Sequence, residues 1–495
     1  MPSFVELAEK YQFSPVRTGD GKLNGYLHLD GKKTKAVLNT KDFHHFEDDE
    51  NGWFDVELED KQGSTILLHN SLTQNKSMSA FNKGGRGGSY TFDIFPNIVV
   101  VGAENLRKDR TLQHLSFEFE GAERFFIYNT IEWHSLYKQP NRKELLKTIR
   151  EEAWKPERKY RFREYVNDPH EVYVIHHPKR YLDVRVEDMR ITVWHSRSQR
   201  GLGWTGHEIK VTPIISVAFE KPVSVDEAID RVWRIKGFFD QLALCDLHVR
   251  AINFSKFKKG WPTAEVYLPN EAYKADRRRL DLHRTEIPFS RWEERKRFAD
   301  CLQAWLGSSA SRRFFRSAVR VALVRFAREI DPTLVTLLTA GVESLPELRG
   351  PSGISREVIT QMADAAHKVD PSVELSAIRG LLGILRLTSP KERVRKLAAK
   401  FLDKAEIETF ADALMRFRNQ IAHGKAMNEF QRAAAGDIAR VLAYLCVAYD
   451  LQLAGFPIAR KDSDRQSVLA LIQMAWVWQA YKTAAKKSEA GGAPA

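Results

Sequence analysis

The spacing of apolar residues changes once along this chain, near residue 270, and two different architectures follow from it. Before the change, short runs rich in β-branched and aromatic residues are separated by Gly, Asp and Asn. They are Trp53–Leu58, Thr65–Leu68, Tyr90–Phe95, Ile98–Val101, Leu115–Phe119, Val172–Ile175, Met189–Trp194 and Ile209–Phe219. Runs of this length and composition predict strands, and their spacing predicts sheets rather than alternating strand–helix units. One helix interrupts them. Ser224 and Glu227 form a capping box, and Val225, Ala228, Ile229, Val232, Ile235, Phe239 and Leu242 follow at helical spacing. A further strand pair is predicted near Leu247–Ile252 and Ala264–Leu268. From Phe289 onward the apolar residues recur at helical intervals, with breaks at Pro332, Pro346, Gly350-Pro351, Pro371, Pro390 and Gly424. The fold class expected is α+β and multidomain. A β-rich region spans residues 1–275, a charged connector with Arg277, Arg278 and Arg279 spans 276–288, an all-α region spans 289–485, and a polar tail without structure spans 486–495.

A chain of 495 residues exceeds what one hydrophobic core organises, which supports this division. Hydrophobic residues make up 43% of it, enough for packed cores and too many for a disordered polymer. The net charge of +13 favours a polyanionic partner, and RNA, DNA or an anionic membrane surface each satisfies it. Cys245, Cys301 and Cys446 lie far apart and form no C-x-x-C, so neither a disulfide framework nor a cysteine zinc site is expected. The N-terminal residues do not read as a signal peptide, and no run of about 18 uncharged apolar residues occurs. A cytoplasmic protein without a membrane span is the expectation.

The residues that carry chemistry lie near the C-terminal end. Ser389-Pro390-Lys391-Glu392 opens a helix with an N-cap serine, proline at the first position and a capping-box glutamate. A second helix follows from about Glu406, with Ile407, Phe410, Ala411, Leu414 and Ile421 as its apolar stripe. At the α-helical step Arg418 falls roughly 20° from Ile407, inside that stripe. A charge placed there requires a buried partner, a subunit interface or an anionic ligand. Gly424 terminates the helix and puts His423 in its last turn, where the helix dipole favours the imidazolium.

Arg418-Asn419-x-x-x-His423-Gly424 resembles the R-x(4–6)-H motif of HEPN domains. These are helical bundles. Many are metal-independent endoribonucleases whose active site forms from two copies of the motif across a dimer. Upstream, Leu334–Leu345 resembles the alanine-leucine-glutamate helix of the Apea-like HEPN group, with Gly341-Val342 in place of Ala-Leu and Glu343 retained. With a β-rich region ahead of it, the whole resembles the ApeA anti-phage architecture. The resemblance implies an abortive-infection ribonuclease that cuts tRNA or other RNA loops. It also implies a homodimer or higher oligomer joined through the HEPN domain, no cofactor, and an N-terminal domain that senses a phage-derived trigger. The implied site residues are Arg418, His423, Asn419 and Glu343.

The residue types suit that chemistry. An imidazole moves the proton of a 2′-hydroxyl or of the leaving oxygen, and a guanidinium holds the phosphate oxygens. In a straight helix His423 points about 140° away from Arg418, a mismatch that a second subunit removes. Two readings of Arg418 and Glu343 stay open: a carboxylate that orients a working guanidinium, or a structural bridge in a non-catalytic scaffold that binds RNA or protein. Arg312, Arg316 and Arg320 recur every four residues and read either as an RNA-backbone stripe or as a solvated helix face. Lys83–Ser89 reads as a loop between strands rather than a phosphate cradle, because it lacks a P-loop's ending and following helix. His44-His45 and His176-His177 are adjacent, so on a strand they point to opposite faces, and no metal site is expected from them.

Overall fold

The computed structural model describes residues 1–41, 52–79, 89–126, 131–135, 147, 171–175, 182–201, 207–275, 295–308, 310–326, 331–348, 356–369, 374–376, 388–402 and 404–456. The histidine pairs, the Lys83–Gly88 loop, the connector 276–288 and the tail 486–495 lie outside them.

The α+β, multidomain reading holds: a β-rich region comes first and helices follow it. The strands are β1 (Ser14–Arg17), β2 (Asn24–His28), β3 (Lys35–Thr40), β4 (Phe54–Asp60), β5 (Thr65–Ser79), β6 (Ser89–Val101), β7 (Leu112–Phe119), β8 (Ile131–Ser135), β9 (Glu171–Ile175), β10 (Leu182–Val186), β11 (Met189–Gly201), β12 (His207–Val223), β13 (Val249–Ser255) and β14 (Ala264–Tyr267). Twelve of them form one sheet in the order β10-β11-β12-β7-β13-β14-β6-β3-β2-β1-β4-β5, and β5 also pairs with β6. That last pairing closes β1 to β6 into a barrel and leaves β14 to β10 as a curved extension. The closure works because β6 is long. Its first half borders β3 and its last residues border β14, while β5 runs along its other edge. Closure removes free strand edges. The runs Tyr90–Phe95 and Ile98–Val101 are thus one strand, with Pro96 opposite Ser71.

The helices are α1 (Phe4–Lys10), α2 (Ala122–Phe126), α3 (Val225–Ala243), α4 (Pro269–Ala275), α5 (Arg295–Gly307), α6 (Arg313–Phe326), α7 (Leu334–Ser344), α8 (Arg356–Val369), α9 (Pro390–Ala398), α10 (Lys404–Ala422) and α11 (Glu429–Leu453). The capping box at Ser224 and Glu227 forms as expected, and Val225, Ala228, Ile229, Val232, Ile235, Phe239 and Leu242 are all buried. Two links fasten α3 to the sheet region. At its N-terminus Asp226 bonds His69 Nε2 at 3.0 Å, while Asp55 bonds the Nδ1 at 3.0 Å. Burial pulls the His69 pKa down, but the hydrogen bonds to Asp226 and Asp55 outweigh it and push it up to about 9. On its apolar face Phe239 packs against Phe119 of β7 and against Phe125 and Phe126 of α2, with ring centroids 5.0–5.5 Å apart.

The same aromatic cluster takes in α5. Phe298 lies 5.4 Å from Phe238, and Trp305 lies 5.7 Å from Phe238. The first helix after the connector is therefore packed into the core of the sheet region. Beyond it α7 contacts α6, α9, α10 and α11. The long α11 is buried on nearly every side (Ala435, Ala439, Leu442, Ala443, Leu445, Cys446, Val447 and Leu451 are all 0% exposed or close to it), which makes it the central post of the bundle. No described helix is long and apolar enough to cross a membrane.

Candidate active site

Helix α9 starts with the expected N-cap and proline, Ser389 Oγ accepting from the Glu392 N–H at 3.2 Å and Pro390 at the first position, but the Glu392 side chain does not complete the expected capping box. The Glu392 carboxylate pairs with Arg395 at 3.5 Å. Helix α10 buries Phe410, Ala411, Ala413, Leu414 and Phe417 against the bundle. Gly424 ends it with φ +62°, a left-handed conformation that glycine adopts without steric cost. The Lys425 N–H then reaches back to the Gln420 carbonyl at 2.9 Å, which closes a Schellman-type cap. His423 lies one residue past the last helical position, and its N–H still donates to the Asn419 carbonyl at 3.0 Å.

Arg418 sits at the edge of the apolar face. Its side chain is 29% exposed, and Nη2 meets Glu343 Oε1 at 3.2 Å. Its Nε is buried without a hydrogen-bond partner among the described residues. The Glu343 side chain is 30% exposed, so the pair lies at a surface rather than in the core. Asn419 and His423 are exposed, and neither side chain makes a hydrogen bond or ion pair among the described residues. The four residues thus divide. Arg418 and Glu343 are in contact, while Asn419 and His423 stand free beside them at the end of the same helix. Among the described residues nothing bonds His423 to Arg418.

Arg393 joins this group and was not singled out from the sequence. It is buried on α9, where Nε donates to the Thr388 carbonyl at 3.0 Å and Nη1 donates to the Glu343 carbonyl. Glu343 is therefore gripped twice, by Arg418 through its carboxylate and by Arg393 through its backbone. The signal that could have found Arg393 is the one that found Arg418: an arginine at i−4 from Leu397, inside an apolar stripe. The Gly341 departure from the alanine-leucine-glutamate pattern has a local cause. A Cβ on Gly341 would meet the Ala318 Cβ at 3.1 Å, so the missing methyl lets α7 approach α6 closely.

The arginine stripe of α6 is corrected by the structure. Arg312 and Arg316 turn inward and are buried. Arg316 Nε meets Asp450 Oδ2 at 2.7 Å, and Arg312 Nη1 meets Oδ1 at 3.2 Å. Trp305 Nε1 also donates to Asp450, at 2.9 Å, and Arg312 pairs with Glu347 at 2.6 Å. Guanidinium groups committed to a buried carboxylate offer an RNA backbone nothing, and they do not form a solvated face either. Arg320 lies with its guanidinium 5.0 Å from the Trp233 ring centre. Among the described residues no three of His, Cys, Asp and Glu stand together as metal ligands.

A barrel with a curved sheet extension, its core continued into a helical bundle, defines the class: a β-rich module fused to a helical one. Residues 10–305 match the family model described as ApeA N-terminal domain 1, which covers the sheet region and reaches into α5. The chain belongs to that family and is an ApeA-type protein. No curated protein and no solved structure matched the chain.

Proposed function

We propose that this ApeA-type protein is an anti-phage effector whose helical region is a metal-independent HEPN endoribonuclease. It cuts tRNA or other single-stranded RNA loops to 2′,3′-cyclic phosphate ends. The observation that carries the reading is the half-buried Arg418, held by Glu343 beside an exposed Asn419 and His423. A guanidinium fixed through one Nη keeps its exposed N–H groups for a phosphate. The 2′-oxygen attacks the adjacent phosphorus and the bond to the 5′-oxygen breaks. The proton leaves the 2′-hydroxyl for a base, and an acid supplies one to the departing oxygen. His423 is free to serve as one of these groups, and the His423 of a second copy as the other. Single-stranded loops suit this route because their backbone reaches in-line geometry.

The same contact supports a second reading. An Arg418–Glu343 pair at 3.2 Å is also what a structural bridge in a non-catalytic RNA- or protein-binding scaffold makes. Purified protein incubated with total RNA in EDTA separates the two. The enzyme yields fragments ending in cyclic phosphate. Arg418→Ala lowers the rate by roughly 10²–10³-fold and His423→Ala by roughly 10²–10⁴-fold, with the fold intact. Arg418→Lys fails as well, since an ammonium makes no bidentate contact. A His423→Ala protein that cuts at full rate ends the catalytic assignment.

A further inference from the structure

We propose that the cavity between α3, α5 and α6 is a binding site for a small phosphorylated anion, which joins the sheet region to the helical bundle. The cavity holds about 410 Å³, within the range of small-molecule sites. Its walls come from both regions: Arg231, Trp233 and Arg234 on α3, and Arg313 and Arg320 on α6, with Glu187 at the turn between β10 and β11.

The charges do not balance. Among the lining carboxylates, Glu187 pairs with Arg234 at 3.2 Å, Asp230 lies 3.9 Å from Arg231, and Asp240 is taken by Lys236 at 2.7 Å. Arg316 is taken by Asp450. Lys236 is shared with Asp246 at 2.6 Å, and Arg320 acts on Asp240 from beyond ion-pair distance. Five arginines still line the cavity against three carboxylates, and neither Arg313 nor Arg320 has a carboxylate within ion-pair distance among the described residues, so the lining is positive. Guanidinium groups that line a cavity and pair with no carboxylate suit an occupant that is an acceptor. An anion with several oxygens meets that demand, and guanidinium forks match phosphate geometry. The limited volume favours a small molecule over an RNA chain. Because α3 lies within the family-matched segment and α6 beyond it, an occupant would bridge the two regions.

The test uses the full chain and titration calorimetry at constant ionic strength. The probes are inorganic phosphate, pyrophosphate, AMP and ATP, with potassium chloride as the ionic control. Saturable binding of at least one phosphorylated probe is expected, and the probe that binds tells a free phosphate from a nucleotide. Arg320→Gln and Arg313→Gln should each weaken that binding by about tenfold or more. Arg313 is exposed, so its variant leaves the fold intact even if Arg320→Gln disturbs α6. Arg107→Gln, in a separate groove, should bind as wild type does. No saturable binding of any probe at millimolar concentration, or unchanged affinity in the Arg313 variant, overturns the proposal. The readout needs no RNA cleavage, so it stands or falls apart from the ribonuclease reading.

Discussion

Asp450 is fully buried between two guanidinium groups and an indole N–H. Asparagine there would keep the shape and lose the charge, leaving Arg316 with a neutral partner while Arg312 keeps Glu347. Asp450→Asn is therefore expected to cost about 3–5 kcal/mol, read as a fall in the urea midpoint. This residue also explains why the α6 arginines were misread. Spacing of four along a helix looks like a surface stripe, and the carboxylate that turns it inward is 134 residues from Arg316. Arg418 was legible because its partner requirement follows from its place in one helix. The identity of that partner came from the resemblance. His69 makes a second residue-scale prediction. Its folded pKa of about 9 lies above the ordinary 6.5, so its contribution is fully present below pH 6.5 and fades as pH rises through 9. Burial pushes Asp55 up, but the hydrogen bonds from His69 and Asn70 hold it below the usual carboxylate range, so its own share is lost in acid. The stability gap between wild type and His69→Gln should be on the order of 2–3 kcal/mol near pH 6 and should narrow steadily towards pH 10. A gap independent of pH would mean that the imidazole is not charged between its two carboxylates.

Among the elements, α7 is the one on which the candidate site depends, because it delivers Glu343 to Arg418 and Arg393. Gly341 sets its depth against α6. Gly341→Leu should push the two helices apart and lower stability by about 1–3 kcal/mol. RNA cleavage should fall further than the unfolded fraction explains, as Glu343 moves with the helix. Cleavage that tracks stability alone would separate the position of α7 from the chemistry. Several strand starts were readable from their apolar runs: Thr65, Met189 and Ala264 each begin a strand where expected, but β5 and β11 run on to Ser79 and Gly201, past the expected ends at Leu68 and Trp194. The short first strands were not. In β1 Val16 is buried and in β2 Leu27 is buried, with polar residues around them, and it is pairing within the barrel that holds them extended. Tyr90–Phe95 and Ile98–Val101 were read as separate runs, yet the ladder passes Pro96 between them, since proline lacks one N–H and the strand tolerates that loss opposite Ser71.

At the scale of the whole molecule, a site with His423 unconnected to Arg418 argues for assembly. A two-fold axis brings like positions of two copies together, so each copy can complete the other. Mixing wild type with excess His423→Ala subunits should depress cleavage more steeply than dilution does, and light scattering should give at least a dimer. A linear mixing curve or an active monomer would defeat the composite site. The change of pattern near residue 270 marks where the described strands end, but packing does not stop there, because the match of apolar faces across distant segments is invisible to local periodicity. Phe298 and Trp305 continue the aromatic core of α3. Gln241 of α3 donates to the same Asp450 carboxylate that neutralises Arg316.

That shared carboxylate limits how such proteins can be recombined. A helical half grafted from a relative onto this sheet half would need a group to meet Gln241 and an indole to meet Phe238. Without both, the graft would leave an unpaired amide and a gap in a dry seam. The two halves are thus matched as a lock is to its key, and exchange between lineages should favour the pair over either half alone.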